Sequence, residues 1–251
     1  MGTMEYYATL PNWDLFKLSF WPMMKAGFLY SIPMMLISFT LGLIVALLVA
    51  LGRMSKFKPI SWLCAFYVWV IRGTPLLVQL FIIFYGFPTI GIKWTPFVSA
   101  IFGLTVSQGA YNSEVIRGAL LGITKGQHEA PQALGMSKWQ TLVHVIIPQA
   151  ALTAVPALGN SFISLLKDTS LTSILTVQEI FMKAKQINAL AYRSLMLYAE
   201  AALVYLIFST VLTFVQSKVE QKLGRHLVSE EELERREKKK SLFDMISRKD
   251  A

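Results

Sequence analysis

Twenty-four consecutive residues, Phe28 to Leu51, carry no charge. As a helix they reach about 36 Å at 1.5 Å per residue, farther than a hydrocarbon core of roughly 30 Å. In lipid, each backbone N–H and C=O has to be satisfied within its own segment, so such a run is a helix that crosses a bilayer. A cleaved signal peptide, with Lys25 as its basic flank, would hold only about 7 to 15 apolar residues and be followed by no further spans. Here more spans follow. The chain is 54% hydrophobic and 16% charged, with a mean hydropathy of +0.50, whereas soluble domains carry about a quarter charged residues.

The net charge of +9 could suggest a nucleic acid partner. The lysines and arginines border apolar runs instead of alternating with stacking aromatics, which points to membrane orientation and away from nucleic acid. Cys64 is the single cysteine, so there is no internal disulfide to diagnose a redox compartment.

Residues 1–27 mix Trp13, Phe16, Phe20 and Trp21 with Asp14, Lys17 and Lys25, the pattern of an interfacial segment at headgroup level. A transmembrane domain is expected over 28–216, with spans near 28–51, 76–85, 96–116, 149–166 and 194–216. Residues 169–181 are too short to cross and read as a re-entrant or outer segment. The second apolar stretch is interrupted by Arg72-Gly73-Thr74-Pro75; an arginine is costly at mid-membrane, so Arg72 belongs near one face. The tail, 217–251, alternates Glu230-Glu231-Glu232 with Arg235, Arg236 and Lys238 to Lys240 and reads as a solvated cytoplasmic helix. The fold class is therefore an all-α membrane protein with about five transmembrane helices.

Five crossings put the termini on opposite sides. Arg53, Lys56, Lys58, Arg72, Arg117, Lys125, Lys138 and the tail share one face, and Lys17, Lys25, Lys93, Lys167, Lys183, Lys185 and Arg193 the other. The first set is larger, which makes it cytoplasmic: N-terminus outside, C-terminus inside.

Polar groups within spans need a task or a partner. Glu114, with Gln108 and Asn112 on the same helix, could hold an α-ammonium group, or it could pair with Arg117 three residues on. Asn160, Ser161 and Ser164 precede Asp168, Thr169 and Ser170, where a helix break would free backbone groups for a zwitterion. Gln79 is a further candidate, or helix-to-helix glue. No residues point to catalysis or to a bound metal.

The polar segment 117–148 carries two capping-box spacings, Thr124 with Gln127 and Ser137 with Gln140. Gly135 stands where a helix end favours a left-handed residue. Two short helices hinged at Gly135 are expected, the second stopped by Pro148. Ala130, Ala133 and Gly135 are small enough for another protein's surface to come close. An ordinary helical hairpin on the membrane would look the same.

Glu129-Ala130-Pro131, then Gly135, then Val145 and Ile147-Pro148 resemble the EAA loop of ABC importer permeases. That pattern is Glu-Ala-Ala, three residues, Gly, nine residues, Ile, one residue, Leu-Pro. Pro131 replaces the second alanine, which puts the first helix's start in question. Arg72 to Leu76, Ser113 to Gly118, Gly126-Gln127 and Lys167 to Leu171 are similar to stretches of the polar amino acid uptake branch. The resemblance runs from the first span to about His226.

It implies the type I importer permease fold in a bacterial cytoplasmic membrane. A second permease copy, giving a homodimer, two ABC ATP-binding subunits and an extracytoplasmic substrate-binding protein are the implied partners. The loop, with Glu129, Ala130, Pro131, Ala133, Leu134, Gly135 and Pro148, would couple to the ATPase. ATP and Mg would bind only there, and no G-x-x-x-x-G-K-[ST] loop occurs in this chain. Branch members for cationic amino acids tend to have a carboxylate where Ser161 stands. Gln178 to Phe181 and the Arg72-to-Tyr85 block look most similar to cystine permeases, with glutamine or another polar amino acid second. The rival readings are an ion-coupled secondary transporter with Glu114 as proton carrier, and a non-transporting scaffold.

Overall fold

The computed structural model describes the backbone of residue 7 and residues 9–247, with side chains as far as Lys222. The charged stretch from Glu230 to Lys240 lies beyond the described side chains. All regular elements among the described residues are helical: α1 (Asn12–Ala26), α2 (Ile32–Met54), α3 (Lys58–Gly73), α4 (Leu76–Phe81), α5 (Pro96–Leu121), α6 (Lys125–Ala133), α7 (Lys138–Thr141), α8 (Ile147–Asp168), α9 (Ile180–Ala191) and α10 (Ser194–Ser247). The chain divides into two compact units, 1–212 and 213–251. In the second, the Gln216 amide donates to Glu220 at 2.7 Å, and the Lys218 ammonium lies 5.2 Å from the Phe214 ring centre.

Three helical stretches, 12–54, 138–175 and 194–222, are long and apolar enough to cross a membrane. A fourth forms when α3 and the helix from Leu76 to Ile90, bent by 104°, count as one broken span. The bend falls at Arg72-Gly73-Thr74-Pro75: the residue before a proline avoids helical geometry, and Thr74 is extended at φ −120°, ψ 146°. The fifth span expected near 96–116 is not among them: α5 has 26 residues, but Ser99, Thr105, Ser107, Gln108, Asn112 and Ser113 dilute its apolar character, and all six are buried. The exterior is apolar, with Phe28, Ile44, Leu48, Trp62, Leu63, Phe66 and Trp69 exposed. A face of this kind suits lipid and not water.

Instead of a separate interfacial piece, α1 runs into α2 through a π turn, Gly27–Ser31, as one stretch of 43 residues. Leu15, Ser19, Met23 and Ala26 form its buried stripe, the spacing of one helix face. Ser19 donates to the Glu200 carboxylate of α10 at 2.6 Å. π turns also occupy Ile82–Gly86 and Leu142–Ile146. All three end two residues before a proline, Pro33, Pro88 or Pro148. A proline has no N–H to give and its ring strikes the carbonyl four residues back; widening the preceding turn removes both problems. Pro148 therefore does not stop the second loop helix, as its sequence position suggests. The helix widens and continues as α8.

α2 and α5 pack along small residues. Ser38, Gly42, Ala46 and Ala50 recur every four positions on the buried face of α2. A Cβ added to Gly42 would lie 2.7 Å from Cβ of Gln108, and one added to Gly109 would lie 2.6 Å from Val45. Close approach of this kind lets van der Waals contact drive helix pairing where water is absent. It also sets the depth of Gln108.

Outside the apolar helices, Glu179 caps α9. Its carboxylate accepts from the backbone N–H of Phe181 at 2.8 Å and of Met182 at 2.6 Å, and from the Tyr205 hydroxyl. It is fully buried, and burial pushes its pKa up to about 7, while the three hydrogen bonds pull it down. A raised carboxyl pKa contributes stability that is complete below the ordinary value of 4.5 and is lost as pH rises through 7. We expect the detergent-solubilised protein to melt at a lower temperature at pH 8 than at pH 5. Each tenfold change in proton affinity is worth about 1.4 kcal/mol, so up to roughly 3 kcal/mol is at stake. Glu179→Gln should flatten this dependence; an unchanged slope in that variant would assign the effect elsewhere.

Candidate functional site

α5 and α8 each carry polar residues at helical spacing, and their packing joins the two sets. Gln108 and Ser107 from α5 face Asn160, Ser161, Ser164 and Asp168 from α8 around a recess of about 430 Å³. That volume lies within the range of small-molecule sites, roughly 300–1,000 Å³. The Ser161 hydroxyl donates to Gln108 Oε1 at 2.8 Å, and Asn112 Nδ2 donates to the same oxygen at 3.1 Å. Asn112 is fully buried behind Gln108 and supports it without lining the recess. One amide oxygen thus ties the two helices together at the wall of the recess. The remaining groups offer hydroxyl, amide and carboxylate partners, the set that a zwitterion's ammonium and carboxylate require.

Four lining residues are not among the sequence candidates: Leu76, Ser107, Tyr111 and Leu171, from α4, α5 and the turn after α8. Tyr111 is three residues from Gln108 and four from Ser107, on the same helix face, so α5's periodicity could have found it. Leu76 and Leu171 left no signal beyond their place beside a break.

The end of α8 does not present free backbone. It tightens into a 3₁₀ turn, Thr169–Leu175, and its hydroxyls turn back on its own carbonyls. Thr169 donates to Leu166 O at 2.6 Å, Ser170 to Lys167 O at 2.7 Å, and Thr172 to Thr169 O at 2.7 Å. Thr169 and Ser170 therefore hold the turn that follows Asp168, and only Asp168 of this trio lines the recess.

Glu114 lies apart. Its carboxylate accepts from Arg53 of α2 and from Arg117, the latter at 2.8 and 3.3 Å. The Arg117 pair was legible three residues away; Arg53, sixty-one residues distant, was not. Glu114 lines a second recess of about 450 Å³ with Arg53, Arg72 and Tyr111. Gln79 sits at the α3–α4 bend and lines neither recess. Its amide nitrogen is 2.8 Å from the Ile71 carbonyl and 3.1 and 2.9 Å from the Thr74 carbonyl and hydroxyl, covering acceptors that a helix end leaves open.

The loop forms two helices, α6 and α7, around Gly135 at φ +87°. Gly135 N–H bonds to Gln132 O and Met136 N–H to Pro131 O, each at 3.0 Å, the paired bonds of a Schellman end. Ser137 and Gln140 make the expected capping box. Thr124 makes no side-chain cap, and the Gln127 carboxamide accepts from Gln149 at 3.0 Å. Pro131 is buried inside α6 without preventing it. Glu129, Ala130, Ala133, Gly135 and Pro148 are exposed. So are Leu134, at 86%, and Trp139, at 71%. Large apolar side chains left bare at a polar loop suit contact with another protein or with the membrane surface.

Comparison with known proteins gives the family and the fold. Residues 38–225 match the family model described as binding-protein-dependent transport system inner membrane component. The L-cystine transport system permease protein TcyB of Bacillus subtilis (strain 168) is 48% identical over 216 residues, covering 86% of this chain and 92% of the relative. The glutamine transport system permease protein GlnP of Escherichia coli (strain K12) is 35% identical over 184 residues, covering 72% and 84%. A solved amino acid ABC transporter with histidines superposes with a TM-score of 0.79 at 32% identity, covering 85% of this chain and 99% of its own. An inward-facing MetNI methionine ABC transporter, at 19% identity and a TM-score of 0.62, shares the fold over 83% and 96%. With three quarters of its length inside that family model, and with the fold to match, the chain belongs to the inner membrane components of binding-protein-dependent transport systems.

Proposed function

We propose that this permease carries a polar amino acid, L-cystine in the first instance, across the cytoplasmic membrane through the recess between α5 and α8. The chain is the membrane subunit of an ABC importer, not an enzyme, and ATP is hydrolysed on a separate subunit. The observation that carries the reading is the recess itself: Gln108, Asn160, Ser161, Ser164 and Asp168, from two helices, converge on one space of about 430 Å³. The identity to a cystine permease, 48%, exceeds that to the glutamine relative, 35%, and supports cystine over glutamine.

In this reading the basic face, with the 117–148 loop and the C-terminus, is cytoplasmic, and the N-terminus is outside. Two copies form a homodimer on two ATP-binding subunits, which hold ATP and Mg, and an extracytoplasmic binding protein delivers the substrate. The exposed hinge of Leu134, Gly135 and Trp139 docks on the ATPase. Nucleotide-driven movement there shifts the helices between two states whose balance the partners bias.

The test is uptake into vesicles holding the full complex. Labelled amino acid should enter only with ATP and binding protein, resist an uncoupler, and be displaced best by unlabelled L-cystine. Uptake that continues without the ATPase and collapses with an uncoupler would sink the proposal in favour of ion coupling. Displacement by a different amino acid would correct the substrate.

A further inference from the structure

The second recess holds an unspent cation. Arg53 and Arg117 are both engaged by Glu114. Arg72 also lines this space, and among the described residues no carboxylate pairs with it. Its guanidinium carbon lies 5.4 Å from the centre of the Tyr111 ring. A cation at this distance from the ring is attracted by the ring's quadrupole, and a guanidinium carries a fork of N–H donors that matches a carboxylate.

Tyr111 is shared. It lines both the 430 Å³ recess of Gln108 and Ser161 and the 450 Å³ recess of Arg72 and Glu114. The α3–α4 break straddles the same boundary, since Arg72 and Gly73 line the second recess and Leu76 the first. The carbonyls at that break would ordinarily repel an anion. The Gln79 amide donates to those of Ile71 and Thr74, which takes up two of the acceptors beside Arg72.

We propose that the Arg72 recess is a second binding station, taking the carboxylate of the amino acid as it leaves the first recess past Tyr111. This rests on the first recess being the transport site. Arg72 provides the bidentate donor, Tyr111 orients it and divides the stations, and Glu114, already neutralised by two arginines, does not oppose the incoming carboxylate. A station of this kind lowers the barrier for a charged group travelling through an apolar surround, where an unpaired carboxylate is strongly disfavoured.

The experiment compares Arg72→Gln and Arg72→Lys in the reconstituted complex of permease, ATPase and binding protein, with labelled L-cystine and its carboxamide analogue as paired probes. Arg72→Gln should lower maximal cystine uptake at least tenfold, leave KM within about threefold, and abolish the rate preference for acid over amide. Arg72→Lys, a charge without the fork, should recover part of the rate and part of the preference. Wild-type rates and acid preference in Arg72→Gln would overturn the station alone. Equal losses for acid and amide, with a rate that lysine does not restore, would likewise overturn it and leave Arg72 a packing residue. Absence of amino acid uptake by the wild-type complex would overturn the transport reading itself.

Discussion

Gln108→Leu will abolish amino acid uptake while the permease still inserts and still assembles with its ATPase. Leucine matches glutamine in bulk, and position 108 is 6% exposed, so the α2–α5 packing survives. What disappears is the one oxygen that accepts from both Ser161 and Asn112. Asn112 already has a buried Oδ1 without a partner, and it would lose its Nδ2 partner too. An unsatisfied buried polar group costs about 1–3 kcal/mol, and Asn112 would turn to find another, reshaping the wall that Ser161 shares. Ser161 loses the contact that orients its hydroxyl. Loss of two positioned groups from a zwitterion site should lower uptake more than a hundredfold, equal to about 3 kcal/mol. The measurement is uptake beside ATPase co-purification: wild-type kinetics would remove Gln108 from the site, and failed assembly would make it a folding residue.

Much of this site was legible because helical spacing is a local property. Asn160, Ser161, Ser164 and Asp168 lie one face apart on any helix, whatever it packs against. The left-handed turn at Gly135, the Ser137–Gln140 box and the break at Thr74-Pro75 are equally local: each follows from the chemistry of four or five adjacent residues. Partnerships across the fold were not legible. That Arg53 would meet Glu114, or Ser19 the Glu200 carboxylate, depends on which helices adjoin and at what rotation. That rotation is set by small residues such as Gly42 and Gly109, whose role shows only when their neighbours are known. The sequence also misleads at proline. Pro148 looks like a helix stop and Pro131 puts the start of the first loop helix in question, but a π turn precedes the first, the second is buried inside α6, and both helices form. Hydroxyls mislead in the same way, since Thr169 and Ser170 donate theirs to carbonyls within one turn.

Gly135→Trp will prevent assembly with the ATP-binding subunit and leave membrane insertion intact, whereas Gly135→Asn will assemble. Gly135 has φ +87°, and a Cβ built there meets nothing within 4 Å. A side chain there therefore starts from open space at the hinge. The cost to folding is confined to the left-handed backbone, about 1–2 kcal/mol for a residue with a Cβ, in a hinge between two short helices. Asparagine carries a Cβ and so keeps part of that strain, but adds only a small side chain. The two variants thus separate backbone strain from bulk. If strain were the cause, asparagine would show part of the loss and the melting temperature would follow; if the partner's approach is blocked, only tryptophan fails. Leu134 and Trp139, both exposed beside the hinge, would then stay bare in the tryptophan variant, and the uncomplexed permease should aggregate more readily. Co-purification from membranes decides it. Normal recovery of the complex with tryptophan at 135 would mean that the hinge faces no partner, and that force reaches the helices by another route.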